Sequence, residues 1–141
     1  MQTNHSSILA LDIGTVRIGI AIASYESRLA RPLTTLPNDE NFTEQLRLIV
    51  KNENVGHIIA GLPRGLSGQE TAQTQWVRDF VRRLTLAFTE LPLSFQDEAL
   101  SSIRATTELG ARGRPYNKAE VDALAATYIL EDYLQHMEEA Q

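Results

Sequence analysis

The sequence predicts an α/β domain in which a mixed sheet, antiparallel at its start and parallel thereafter, is flanked by helices. Two observations carry this. Apolar stretches of strand character crowd the start of the chain, and helical periodicity then alternates with short apolar runs. A third sets the scale: 141 residues, 43% of them hydrophobic, suit one compact domain over residues 1–141 with a proper core and little room for another.

Residues 8–11 are an apolar run, and Ile18, Ile20 and Ile22 alternate with small residues. Residues 8–24 therefore read as two strands with Gly14 and Thr15 at the turn. A third strand is expected around residues 30–36, where Pro32 and Pro37 mark an edge. Asn41 and Glu44 stand at capping-box spacing before an amphipathic repeat of Phe42, Leu46, Ile49 and Val50, which predicts a first helix. The run HIIAGLP after Gly56 is too short for a helix and suits a buried strand entering a glycine-rich loop. Ser67 and Glu70 repeat the capping-box spacing, and Trp76, Val77, Phe80, Val81, Leu84 and Phe88 form one stripe of a second helix. Pro92 opens a further strand, LSFQ. A helix follows from about Ser101 to Leu109, stopped by Gly110, and an Arg/Gly/Pro loop leads to a final helix from Lys118 to about His136, boxed by Asn117 and Glu120. An antiparallel opening followed by helix–strand alternation is the order of the ribonuclease H-like fold. A flavodoxin-like domain is its rival on element order alone.

Composition removes several chemistries. There is no cysteine, so disulfides and thiolate zinc sites are excluded, and His5, His57 and His136 lie far from any local ligand spacing. Any metal must be held mainly by oxygens. The start MQTNHSS lacks the pattern of a secretory signal, and no apolar run reaches membrane-spanning length, so a cytoplasmic protein without membrane contact is expected. A net charge of -5 counts mildly against a nucleic-acid partner and requires any polyanion to meet a local basic patch.

Three carboxylates occupy informative places: Asp12 at the end of the first strand, Glu98 just after LSFQ, and Asp122 near the start of the final helix. Each alone has an ordinary reading, as a turn former, a first-turn carboxylate or a solvated helix residue. Together they read differently. Asp12 stands in an otherwise apolar strand, where a charge is expensive unless paired or bound to a cation. Asp122 shares a helix face with Ala125, Ala126, Ile129 and Tyr133, and the Asn117–Glu120 box leaves it no capping duty. Carboxylates converging from separate elements hold hard divalent ions, magnesium first and manganese next. Two such ions about 3.5–4 Å apart activate a water for attack on a phosphodiester and stabilise the departing oxygen. Asp97 is an alternative to Glu98, because strand neighbours point to opposite faces.

These segments resemble the YqgF (RuvX) family. LALDIGTVRIGIAIAS is similar to its opening D-x-G-x-x-x-x-G-x-A segment, IIAGLPRGLSG to its G-L-P strand-to-loop segment, QDEALSS to its D-E-R-L-[ST]-[ST] segment, and NKAEVDALAATYILEDYL to its closing V-D-[SA]-x-A-A-x-x-I-L helix. The matches keep the family's order from Leu9 to Leu134. The resemblance implies the ribonuclease H-like fold, Holliday junction resolvase-like chemistry, a nuclease role at the 5′ end of pre-16S rRNA in ribosome biogenesis, and association with ribosome precursors. It also implies that Asp12, Glu98 and Asp122 are the catalytic and metal-binding triad. One position departs from the pattern: Ala99 replaces the usual Arg, removing a cation that would touch a phosphate or pin a carboxylate, and Arg104 is the candidate to compensate.

The basic residues complete the expected site. Arg104, Arg112, Arg114 and Lys118 gather around the Gly/Pro loop beside two of the three carboxylates, while Arg17 and Arg64 follow the first strand and the GLP strand. They are candidates for phosphate contacts with a structured nucleic acid, pre-rRNA or branched DNA, against the ordinary reading of a solvated face. Two other readings stand beside the nuclease. One is a non-catalytic nucleic-acid-binding or ribosome-assembly module, which Ala99 supports. The other is an ATP-binding domain of the actin and sugar-kinase type, against which the length argues, because such proteins close two domains around the nucleotide.

Overall fold

The computed structural model describes residues 5–98 and 101–139. Three strands open the chain, β1 (Ser7–Ile13), β2 (Arg17–Ser24) and β3 (Arg31–Pro37), followed by α1 (Phe42–Asn52), β4 (Val55–Leu62), α2 (Ala72–Ala87), β5 (Leu93–Asp97), α3 (Ser101–Ala111) and α4 (Lys118–Glu139). The five strands lie in the order β3-β2-β1-β4-β5. β2 runs antiparallel to both β1 and β3, whereas β1, β4 and β5 are mutually parallel. This is the mixed sheet the sequence predicts, with the proline-bearing β3 at one edge.

Strand alternation divides the core between the two faces. Leu9, Leu11, Ile13, Ile18, Ile20 and Ile22 pack with Leu46, Val77, Val81 and Leu84 of α1 and α2. Ile8, Ala10, Ala21, Ala23 and Ile59 pack with Ala126, Ile129, Leu130 and Leu134 of α4. Each fully buried Leu or Ile contributes about 1.5–3 kcal/mol of transfer free energy, so both layers are needed to hold the sheet. The residues of β1 and β2 on the α4 side are mostly small, and α4 therefore lies close upon the strands. α3 packs on α4 through Ala105, Leu109, Leu124 and Ala125. Among the described residues no helix is long and apolar enough to cross a membrane.

Three expected helix ends are corrected. Asn41 has helical dihedrals and makes no side-chain cap; the turn before α1 is made by Asp39, whose Oδ1 accepts the Asn41 N–H at 2.9 Å. The cap of α2 is Thr71 with Thr74 in a reciprocal box, not Ser67 with Glu70, because the Glu70 carboxylate is bound by Arg78 at 2.9 Å. Gly110 lies inside α3, and the chain reverses at Gly113, which takes the left-handed conformation at φ 73°. At α4, Asn117 Oδ1 does accept the Glu120 N–H at 2.9 Å, while the Glu120 carboxylate turns to Arg114.

Candidate functional site

Asp12 follows Ile8 and Ala10 on the α4 side of β1, the penultimate residue of its strand. Its partner across the antiparallel ladder is Gly19. A side chain at Gly19 would run into the backbone carbonyl of Asp122, so the absent side chain is what lets the start of α4 rest above Asp12. On the other flank, one step beyond the Leu11–Ala60 pair, β4 presents Gly61 toward Ile129 of α4. The space on that face beside Asp12 is thus free of side chains from both neighbouring strands. Glu98 reaches it from the end of β5, where its N–H donates to the Leu62 carbonyl at 3.0 Å.

The carboxyl groups of Asp12 and Glu98 meet at hydrogen-bonding range. Burial, then the facing Glu98 and then the charge of Asp122 push the Asp12 carboxyl up from its ordinary 3.8 to about 8. Burial also raises Glu98. At neutral pH the bare pair holds a proton, and a cation is the alternative that satisfies both groups. Asp97 does not share this environment. Its side chain is 65% exposed and accepts from Arg64 Nε at 2.9 Å, so Glu98 is the carboxylate that faces Asp12.

Asp122 approaches the pair, as its electrostatic effect on Asp12 shows, but its own carboxylate is engaged. Arg17 Nε donates to Asp122 Oδ2 at 2.7 Å, clasping the start of β2 to the start of α4. The hairpin before Arg17 is held by Gly14 N–H donating to the Arg17 carbonyl at 2.9 Å and by Asn38 Nδ2 donating to Gly14 at 2.8 Å. Sequence reading missed this clasp, which joins residues 105 positions apart without a local signal. Among the described residues no three His, Asp or Glu side chains are grouped closely enough to hold one ion. The half-buried, oxygen-only, like-charged Asp12–Glu98 pair nevertheless fits a hard divalent cation, with Asp122 next to it.

The cations divide into separate groups. Arg64 and Glu98 line a cleft of about 200 Å³ with Pro63, Ser101, Ser102 and Ile103. Arg112 and Arg114 line a different cleft, beside β3 and the start of α4. Arg104 is bound at 3.4 Å to Asp132 and stacks 4.2 Å over the Tyr128 ring, stapling α3 to α4. Lys118 is exposed at the first residue of α4. Ala99, the departure from the family pattern, lies outside the described residues.

A family profile described as RuvX, Holliday junction resolvase, matches residues 6–136. A protein of Sulfurihydrogenibium sp. (strain YO3AOP1) named "Putative pre-16S rRNA nuclease" is 34% identical over 133 residues, covering 94% of this chain and 92% of its own length. One of the same name from Maridesulfovibrio salexigens is 39% identical over 132 residues, covering 90% and 96%. Among solved structures, T. thermophilus RuvC in complex with a Holliday junction substrate superimposes with a TM-score of 0.59 at 14% identity over 96% of this chain and 97% of that one. The fowlpox virus resolvase with Holliday junction DNA gives 0.53 at 13% identity over 93% and 98%. The fold of the chain is therefore ribonuclease H-like.

Proposed function

The chain belongs to the RuvX family, and from that premise we propose that it is a metal-dependent nuclease hydrolysing phosphodiester bonds in structured nucleic acid. Its substrate is the 5′ end of pre-16S rRNA, processed in the cytoplasm during ribosome biogenesis. The observation that carries this reading is the half-buried Asp12–Glu98 pair at the end of the parallel strands, two facing carboxylates whose charged forms burial disfavours and a cation would satisfy. The names of the curated relatives support the choice of substrate.

Asp12 and Glu98 would hold magnesium or manganese, with Asp122 as the third carboxylate of the site. A bound divalent ion supplies activation of the attacking water and stabilisation of the departing oxygen. The chain's own contribution is to position and exclude. Gly19 and Gly61 clear the space in which the carboxylates meet, and the Arg17 clasp fixes the start of α4 beside them. Arg64, paired with the exposed Asp97, stands on the cleft that Glu98 lines. Arg17, Arg64, Arg112, Arg114 and Lys118 would meet phosphates, while Arg104, drawn into the α3–α4 staple, meets them at its exposed side only.

A second reading, a non-catalytic nucleic-acid-binding module, is favoured by the engagement of Asp122 with Arg17. One assay separates the two: cleavage of a structured pre-16S RNA fragment and of a four-way DNA junction, with and without magnesium. The nuclease reading expects magnesium-dependent cleavage by the wild type, with preference for the RNA, and none by Asp12→Asn. Binding without cleavage under every condition would favour the module.

A further inference from the structure

On the far side of the α4 start from the acidic pair is a cleft of about 390 Å³, walled by Pro32, Leu109, Ala119 and Leu124 and rimmed by Arg112 and Arg114. Small-ligand sites occupy roughly 300–1,000 Å³, so the space is of functional size. It exists because β3 is tied to the first turn of α4, Thr35 Oγ1 donating to the Ala119 carbonyl at 2.6 Å, while the loop that turns at Gly113 brings both arginines to the opening. Arg112 and Arg114 touch Glu108 at 3.5 Å and Glu120 at 3.8 Å, yet their side chains stay 43% and 59% exposed. Such open pairs are weak and exchange readily for a better anion. Among the charged residues that line the cleft, two are arginines, Arg112 and Arg114, against one carboxylate, Glu120.

Apolar walls beneath a cationic rim suit a flat, apolar-faced body joined to an anion. A peptide strand added to β3 fits less well. Pro32 offers no N–H, and Leu33 falls at a register shift without a partner on β2, so the ladder a peptide would extend is interrupted. The cleft is also aligned with the acidic site, since Thr35 pairs with Gly19 and Gly19 with Asp12. Two strand spacings, roughly 10 Å, separate them, within reach of a nearby nucleotide on one nucleic-acid strand.

We infer that this cleft takes an unpaired nucleotide of the strand bound at the acidic pair, its base between the apolar walls and its phosphate on Arg112 and Arg114. The inference rests on the nuclease reading for the identity of the strand. It makes the enzyme selective for substrates with a single-stranded nucleotide beside the cut, and it assigns that selectivity to the β3–α4 side of the molecule.

Fluorescence anisotropy with a short single-stranded RNA, in magnesium-free buffer, tests it. Ala119→Leu, which fills the cleft with a good helix former, should weaken binding about tenfold, as should Arg112→Ala with Arg114→Ala. An abasic site at one position of the RNA should weaken wild-type binding equally and leave Ala119→Leu unchanged, with melting temperature reporting that the variant is folded. Wild-type affinity in the arginine double variant, together with no position-dependent abasic effect, would overturn the inference. So would adenosine monophosphate displacing the RNA as effectively as an unlabelled copy, which would make the cleft a site for free nucleotides. Position-dependent binding by a protein that cleaves nothing would sink the nuclease reading and leave the cleft standing. Intact cleavage without position dependence would sink the cleft alone.

Discussion

A carboxylate at Asp12 interrupts a strand whose other residues, from Ser7 to Ile13, are all buried. Its cost appears as the rise of its carboxyl from 3.8 to about 8. In the unfolded chain Asp12 ionises near 3.8, so between the two values the folded protein binds the extra proton. The stability linked to that proton is present below the unfolded value and is lost as pH climbs through the folded one. Metal-free wild type should therefore lose melting temperature relative to Asp12→Asn between about pH 4 and pH 8, which thermal scans in a chelating buffer would measure. A constant gap across that window would mean the carboxyl is not buried with its neighbours. The adjacent pair offers a sharper contrast. Glu98→Gln should abolish magnesium-dependent cleavage, whereas Asp97→Asn removes only an exposed ion pair worth about 0–1 kcal/mol and should cleave at a similar rate. Comparable losses in both variants would put the site on the wrong register.

At the scale of elements, α4 carries Asp122 to the sheet only because the strands beneath it are small. Gly19→Ala would force the Asp122 backbone off β2, with an overpacking cost of about 1–3 kcal/mol and a loss of cleavage larger than the loss of stability suggests. Denaturant melts and initial rates on the same preparation would show the two effects together. Gly110→Ala should behave in the opposite way. Gly110 lies within α3, has open space where a Cβ would go and is not among the positive-φ residues, so alanine there should add about 0.5–1 kcal/mol. Destabilisation would mean that α3 ends at Gly110 after all. These two glycines also show where sequence reading falters. The residue type marks a special backbone or a close approach, but not which, and only the packing of α4 distinguishes a steric necessity from a tolerated helix residue.

For the whole molecule, much of the plan is legible because period-two alternation marks β1 and β2, proline marks the edge of β3, and apolar stripes mark α1 and α2. The helix starts were less so. Capping-box spacing occurs at Asn41 and Ser67 as well as at Thr71, and the competition is decided by tertiary partners such as Arg78, which draws Glu70 away. Asp12 stands out in the sequence as a charge in an apolar strand, whereas Glu98 rather than Asp97 is implied there only by the family resemblance. The Arg17–Asp122 clasp and the 390 Å³ cleft were not foreseeable, since both arise from chain segments that meet only in the fold. A net charge of -5 gives the same lesson for binding. Nucleic acid must be held by local cations, so Arg112→Ala with Arg114→Ala should lower the slope of affinity against salt by about one unit per lost phosphate contact. An unchanged slope would move the strand's path elsewhere.

The central proposal is that Asp12 and Glu98, with Asp122 beside them, hold a divalent metal ion. It is tested most directly by titrating isotope-labelled protein with manganese and following paramagnetic broadening of its amide resonances. The site described here predicts broadening centred on Asp12, Glu98 and Asp122, extending to Gly19 and Leu62, and lost in Asp12→Asn. Broadening confined to exposed acidic residues such as Glu44 and Glu90, or unchanged by that substitution, would contradict it.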